Sequence, residues 1–225
     1  MDGRHPGCVE ARKGFEGKCE FDGRFSLARR RITAATGEGV DEYEWFLYAR
    51  ANVVRGTAGV AGGRHVQVTR ASSPYGPWAS FQLISFEGYQ MSPSQNIYFA
   101  VVNGNPVAPH TLLGLFPYYS EATRDAYIGI ALTCDGWHFS SMYPLLGSRV
   151  NYLSYNAPRI QDHPVDGFVT GPDGMVYVYL HEKVPGIASH YSKIARYELS
   201  SEGLRNYTRE AMRTLPSCAK EQMVV

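Results

Sequence analysis

The chain has 225 residues, 19% of them charged and 13% aromatic, with 16 Tyr, 23 Gly and a formal net charge of +1. That length suits one domain with a large core, and near-neutrality removes any long-range electrostatic case for nucleic acid or an acidic membrane surface as partner. No apolar run approaches the roughly 20 residues that span a bilayer, and the start, MDGRHPGCVEARKG, lacks the apolar segment of a signal peptide, so the default expectation is a cytoplasmic location.

Residues 1–18 carry no periodic signal and read as an arm or the remnant of an earlier repeat. Phe21–Arg31 is the first predicted strand, Thr33–Asp41 a Gly/Thr-rich hairpin loop and Glu44–Val53 the second strand. Arg55–Gly63 is flexible by composition. In Arg64–Arg70, Val66 and Val68 alternate with His65, Gln67 and Thr69, the period of two that marks a half-buried strand. Ser72–Pro77 is turn chemistry, and Trp78–Ile84 is a return strand.

Phe86–Ser94 leads to a second set in the same order. Asn96–Val102 is a strand, Asn103–Pro109 a turn, Leu112–Ser120 a strand, Ser120–Asp125 a polar loop and Ala126–Leu132 a strand. Cys134–Gly136 is a turn, with Asp135 as its former, and Trp137–Leu145 returns. After the long connection Gly147–Asp162 comes a third set: Asp166–Thr170, the turn Gly171–Gly174, Val176–Val184, Lys193–Leu199, the turn Ser200–Gly203 and a return strand Leu204–Thr208. Glu210–Leu215 reads as a short helix in a C-terminal tail.

The turn glycines Gly76, Gly136 and Gly203 stand 60 and 67 residues apart. Four antiparallel strands repeated at a near-constant period form the blade of a β-propeller. The expected fold is therefore all-β, a propeller of four-stranded blades with three recognisable, over residues 19–211, followed by a tail over 212–225. Propellers close with about four to eight blades. The expectation is thus a truncated member of a larger design, with missing strands in 1–20 and 146–165, or self-association that completes the ring, as alternatives.

The four cysteines, Cys8, Cys19, Cys134 and Cys218, fit no zinc or C-x-x-C spacing. They read as free thiols, with Cys8–Cys19 as the alternative pairing. The sequon Asn206-Tyr207-Thr208 falls on the expected outer strand and is read as incidental.

Strand direction locates a functional face. In an up-and-down blade, the starts of first strands and the junctions between second and third strands converge on one mouth of the central channel, and concave mouths favour ligands. The polar residues so placed are Glu20, Asp22 and Arg24; Gln95, Asn96 and Tyr98; Asp162, His163 and Asp166; Arg50, Asn52, Arg64 and His65; Tyr118 and Tyr119; His181 and Glu182. Each also has a local explanation: Asp22-Gly23 and Asp166-Gly167 as bends, Glu20–Arg24 as a same-face ion pair, His65 and His163 as structural histidines, Glu182-Lys183 as a solvated loop end.

The segments CEFDGRFSLA, LYARAN, GGRHVQVT, QNIYFAVV and HPVDGFV resemble the five-bladed β-propeller glycoside hydrolases of the arabinanase and β-fructosidase type, especially their uncharacterised relatives, over roughly Lys18 to Leu199. The resemblance implies three acidic side chains meeting at the channel mouth. Asp22 stands for the first-blade carboxylate and Asp166 for the second. Glu182 or Glu20, with Glu87 a remote third, stands for the general acid. Glycosidic cleavage needs one protonated acid at the leaving oxygen and one ionised carboxylate opposite. Arg24 beside Asp22 would keep it ionised. Arg50, Asn52, Arg64, His65, Asn96, His163 and His181 would contact sugar hydroxyls, with Tyr98 or Tyr119 as a stacking platform.

Two functions of different class follow. One is a glycosidase-like propeller acting on a carbohydrate. The other is a non-catalytic propeller that binds a glycan or a protein through the same mouth, since fold does not fix function. Carbohydrate is the expected partner. Neither a cofactor nor a metal is assigned, because a set such as His163, Asp166 and His181 has no metal-ligand spacing.

Overall fold

The computed structural model describes residues 24–32, 42–53, 63–90, 92, 94–120, 122–123, 125–147, 161–184 and 192–219. The arm over 1–18 and the candidates Glu20 and Asp22 lie outside the described residues. Among the described residues the chain forms fourteen strands and one α-helix, and the all-β expectation holds.

The first sheet is an antiparallel meander of β1 (Ser26–Ile32), β2 (Glu42–Val53), β3 (Gly63–Ala71) and β4 (Gln82–Leu83). Its pairings run Ala28 to Phe46, Tyr48 to Val68 and Val68 to Gln82. The return strand expected over Trp78–Ile84 shrinks to two residues, because β5 (Ser85–Phe86) leaves the sheet and pairs in parallel with β10 (His138–Phe139). That exchange stitches the first sheet to the second.

The second sheet is built on β8 (Leu112–Ser120), with β9 (Ala126–Thr133) on one side and β6 (Gln95–Ile97) and β7 (Val101–Gly104) on the other. β10 and β11 (Tyr143–Gly147) pair with the far edge of β9, so the expected single strand Trp137–Leu145 is two pieces. Every residue of β8 is buried. Leu112, Phe116 and Tyr118 enter the core shared with the first sheet, among Phe46, Val66, Val68 and Phe139. Leu113 and Leu115 enter a second core with Ile128, Val178, Leu180 and Leu204. A strand covered on both faces reads as a continuous apolar run rather than an alternating one, which is why LLGLFPYYS shows no period of two.

The third sheet is an antiparallel meander of β12 (Gln161–Thr170), β13 (Val176–Val184) and β14 (Lys193–Leu199). First strands of successive sheets lie side by side. Ser26 Oγ donates to the Val102 carbonyl at 3.0 Å and accepts from the Val102 amide at 2.8 Å. A Cβ at Gly167 would overlap the Asn103 side chain, so only glycine lets β12 approach β7 this closely.

The expected return strand Leu204–Thr208 is instead helical: α1 spans Ser201–Thr214. Ser200 caps it, its side chain accepting from the Gly203 amide at 3.0 Å. Leu204, Thr208, Ala211 and Met212 are buried at helical spacing, and that period of 3.6 outcompetes a strand reading based on a turn-like Ser200–Gly203. The sequon therefore lies on the helix, with Asn206 exposed. The boundary drawn at residue 212 falls within α1, and Met212, Leu215 and Cys218 belong to the core.

The reading of the cysteines as free thiols is overturned for two of them: Cys134 and Cys218 form a disulfide across 84 residues of sequence. It joins the turn after β9 to the short 3-10 turn Pro216–Cys218 after α1. Tyr207 docks the same helix, its hydroxyl donating to the Ile130 carbonyl at 3.1 Å. In the turn after β9, Asp135 Oδ1 accepts from the Trp137 and His138 amides at 3.0 and 2.8 Å. Gly136 sits at φ +89° with its Cα against the Phe46 ring.

Loss of the bridge, as in Cys218→Ser, is expected to destabilise the fold by about 4.5 kcal/mol in chain-entropy terms. Urea unfolding of the native chain and of Cys218→Ser, both without reductant, measures it.

Candidate functional site

The three sheets meet where the sequence reading placed its polar residues. A one-residue bulge shapes the meeting point. Ile97 pairs with Tyr118 and Val101 with Leu115, so four steps on one strand oppose three on its partner. A bulge re-aims side chains, and this one falls at Tyr98-Phe99-Ala100.

Tyr98 and Phe99 organise the cluster. The His163 ring stacks on Tyr98, with centres 5.2 Å apart and planes at 19°, and meets Phe99 edge-on at 5.1 Å. The guanidinium carbons of Arg50 and Arg64 lie 4.9 and 5.2 Å from the Tyr98 centre, and that of Arg24 lies 5.9 Å from the Phe99 centre. These are cation–π distances. Arg24 also donates to the carbonyls of Pro164 and Val165. Asn96 Oδ1 accepts from the Arg64 amide at 3.2 Å, and the Gln67 side chain donates to the Arg50 carbonyl at 2.9 Å. His181 stands opposite His163 in register.

Arg24, Arg50, Arg64, Asn96, Tyr98, His163 and His181 are thus brought together, from all three sheets. Three guanidiniums and two imidazoles make the junction rich in hydrogen-bond donors. His163 records it: burial first, then the positive charges of His181 and Arg24, push its pKa down to about 4. At neutral pH its ring is uncharged. Tyr98 is in contact with a ring and two guanidiniums, so its role is to gather cations rather than to offer an open stacking face, and Tyr119 is buried.

Other candidates lie elsewhere. His65 is a core residue: its Nε2 is 2.8 Å from the Ile84 carbonyl, it stacks on Tyr89 at 6.1 Å, and burial lowers its pKa. Glu182 pairs with Lys193 at 3.1 Å and accepts from the Tyr197 hydroxyl. The Tyr197 bond, aided by Lys193, holds its carboxyl below the ordinary range, the opposite of what a general acid needs. Asp166 is exposed, and its carboxylate accepts from the next amide, Gly167, at 2.8 Å. Asn52 is paired through its backbone with Arg64. Glu87, the remote option, bonds His138 Nε2 at 2.8 Å.

Ser85 Oγ lies 2.7 Å from Nδ1 of the same His138, so Ser85, His138 and Glu87 form a hydroxyl–imidazole–carboxylate row. Ser85 is exposed, and the row bridges β5 and β10 where they pair in parallel; catalysis by such a set also needs oxyanion donors and a cleft. Among the described residues no group of three His, Cys, Asp or Glu side chains is arranged to hold a metal.

Sequence reasoning missed Phe99, which carries no polar signal. Asp162, which strand direction had placed among the candidates at the mouth, is a buried carboxylate whose Oδ1 accepts from the Lys183 amide at 3.0 Å. That bond holds Lys183 at φ +59°, a conformation rare for a non-glycine residue and often found beside functional sites, two residues from His181.

Proton linkage follows from His163. The unfolded chain protonates it near pH 6.5, and the folded chain only near pH 4. Its contribution is complete above pH 6.5 and is lost as pH falls towards 4, by up to about 3 kcal/mol. An imidazole NMR titration should find the His163 ring unprotonated at pH 5, and His163→Asn should flatten the acid side of the stability profile.

Neither the family models, nor the curated proteins, nor the solved structures contain a match to this chain.

Proposed function

We propose that this protein is a β-propeller-like carbohydrate-binding protein whose ligand lies at the junction of the three sheets. The observation that carries the reading is the convergence of Arg24, Arg50, Arg64, Asn96, Tyr98 and His163 from separate sheets on one place. Antiparallel meanders with adjacent first strands support the propeller geometry. Guanidinium and amide donors suit ligands rich in oxygen acceptors, such as hydroxyls and carboxylates. The Cys134–Cys218 bridge points to an oxidising compartment, in place of the cytoplasmic default.

Binding is favoured over hydrolysis by the state of the carboxyls. Of the three assigned to catalysis, Glu182 is held ionised and committed to Tyr197 and Lys193. Asp166 is exposed on β12 and bonded to the next amide, Gly167. Hydrolysis rests on Asp22 together with an acid elsewhere in the chain.

A glycan array followed by calorimetry on the strongest binder tests both readings. Arg64→Gln is expected to weaken binding by about tenfold or more, the usual scale for one charge-assisted hydrogen bond, with the melting temperature unchanged. An array that stays silent, or affinity untouched by Arg64→Gln, would sink the carbohydrate reading. Release of aryl from aryl glycosides that disappears in Asp22→Ala would shift the conclusion to hydrolysis.

A further inference from the structure

A second hollow lies between α1 and the turn that joins β7 to β8. Its volume is about 410 Å3, within the roughly 300–1,000 Å3 of small-molecule sites. Its walls are set by a buried amide. Asn105 Nδ2 donates to Thr111 Oγ1 within the turn and to Thr208 Oγ1 on the helix, each at 3.0 Å, while its Oδ1 accepts from the Val107 amide at 3.1 Å. With the disulfide holding the far end of the helix, the two walls are fixed before any ligand arrives, which lowers the cost of binding.

The lining is basic on one side and apolar on the other. Arg205, Arg209 and Arg213 follow at steps of four along α1 and all face the hollow, with His110 across from them and Val107 and Met212 as apolar surface. No carboxylate lines it. Like charges at this spacing destabilise a helix, so the stripe is costly to the free protein. Its neutralisation is slight. Arg213 meets the exposed Glu210 at 3.1 Å, Arg209 reaches only the Asn206 side chain at 3.4 Å, and Arg205 makes no hydrogen bond or ion pair among the described residues. The ring nitrogen Nε2 of His110 is cut off from solvent with no hydrogen-bond partner.

We propose that this hollow binds a small organic anion, a carboxylate carried on an apolar body. The carboxylate accepts from Arg205 and Arg209 beside the His110 ring, and the body lies against Val107 and Met212. The site is independent of the three-sheet junction.

Hexanoate, its uncharged counterpart hexanol, and inorganic phosphate are titrated into the full chain by calorimetry, with the His110 imidazole followed by NMR. Hexanoate is expected to bind saturably, at least tenfold tighter than hexanol or phosphate, and to shift the His110 resonances. Arg205→Gln/Arg209→Gln should weaken it at least tenfold, whereas Arg196→Gln, on β14, should leave it unchanged. If the double variant loses its fold, Arg205→Gln alone carries the same test. Hexanol binding as tightly as hexanoate, no shift at His110, or affinity indifferent to the loss of Arg205 would each overturn the proposal.

Discussion

The architecture depends on one strand being buried on both faces. β8 has no solvent side: Leu112 and Phe116 fill the core against the first sheet, and Leu113 and Leu115 fill the core against the third sheet and α1. Apolar burial of this kind is the main favourable term in folding. A strand with two apolar faces cannot be stable at an edge, so sheets must be laid on either side of it. The placement of everything else, the junction included, follows from that requirement.

The junction is an electrostatic arrangement made tolerable by aromatic rings. Guanidiniums brought close repel, and ring faces offset part of that cost. Tyr98 and Phe99 do so for Arg24, Arg50 and Arg64, and His163 remains neutral rather than adding another charge. The bulge that aims both rings sits on the strand pair that β8 anchors. Core burial therefore reaches the site through a single extra residue.

The end of the chain departs from the repeat. Where a fourth strand would complete the third sheet, α1 packs across β9, locked by Cys134–Cys218 and by Tyr207 on the Ile130 carbonyl. A helix at this position covers apolar surface without presenting unpaired backbone groups, a hazard for any open sheet edge. It also turns a row of arginines towards the β7–β8 turn, which a strand of the same sequence would have divided between two faces.

The sequence by itself determined three of the long strands. Leu112–Ser120, Val176–Val184 and Lys193–Leu199 were legible to the residue, because alternation or sustained apolar character over seven to nine positions is a local property. So was Asp135 as a turn former, since its carboxylate acts on amides two and three residues away. The grouping of Arg24, Asn96, Tyr98 and His163 was also within reach, because strand direction alone sends them to one end. Tertiary structure decided the rest. Whether Leu204–Thr208 became strand or helix depended on what its buried face met, and the partner of Cys218 lay 84 residues away. Glu182 and His65 were exchanged for Lys193 and the Ile84 carbonyl by cross-strand neighbours that no local pattern encodes. The physical reason is range: dihedral preference and periodicity act over a few residues, whereas charge pairing, burial and disulfide formation depend on which distant segments the fold brings into contact.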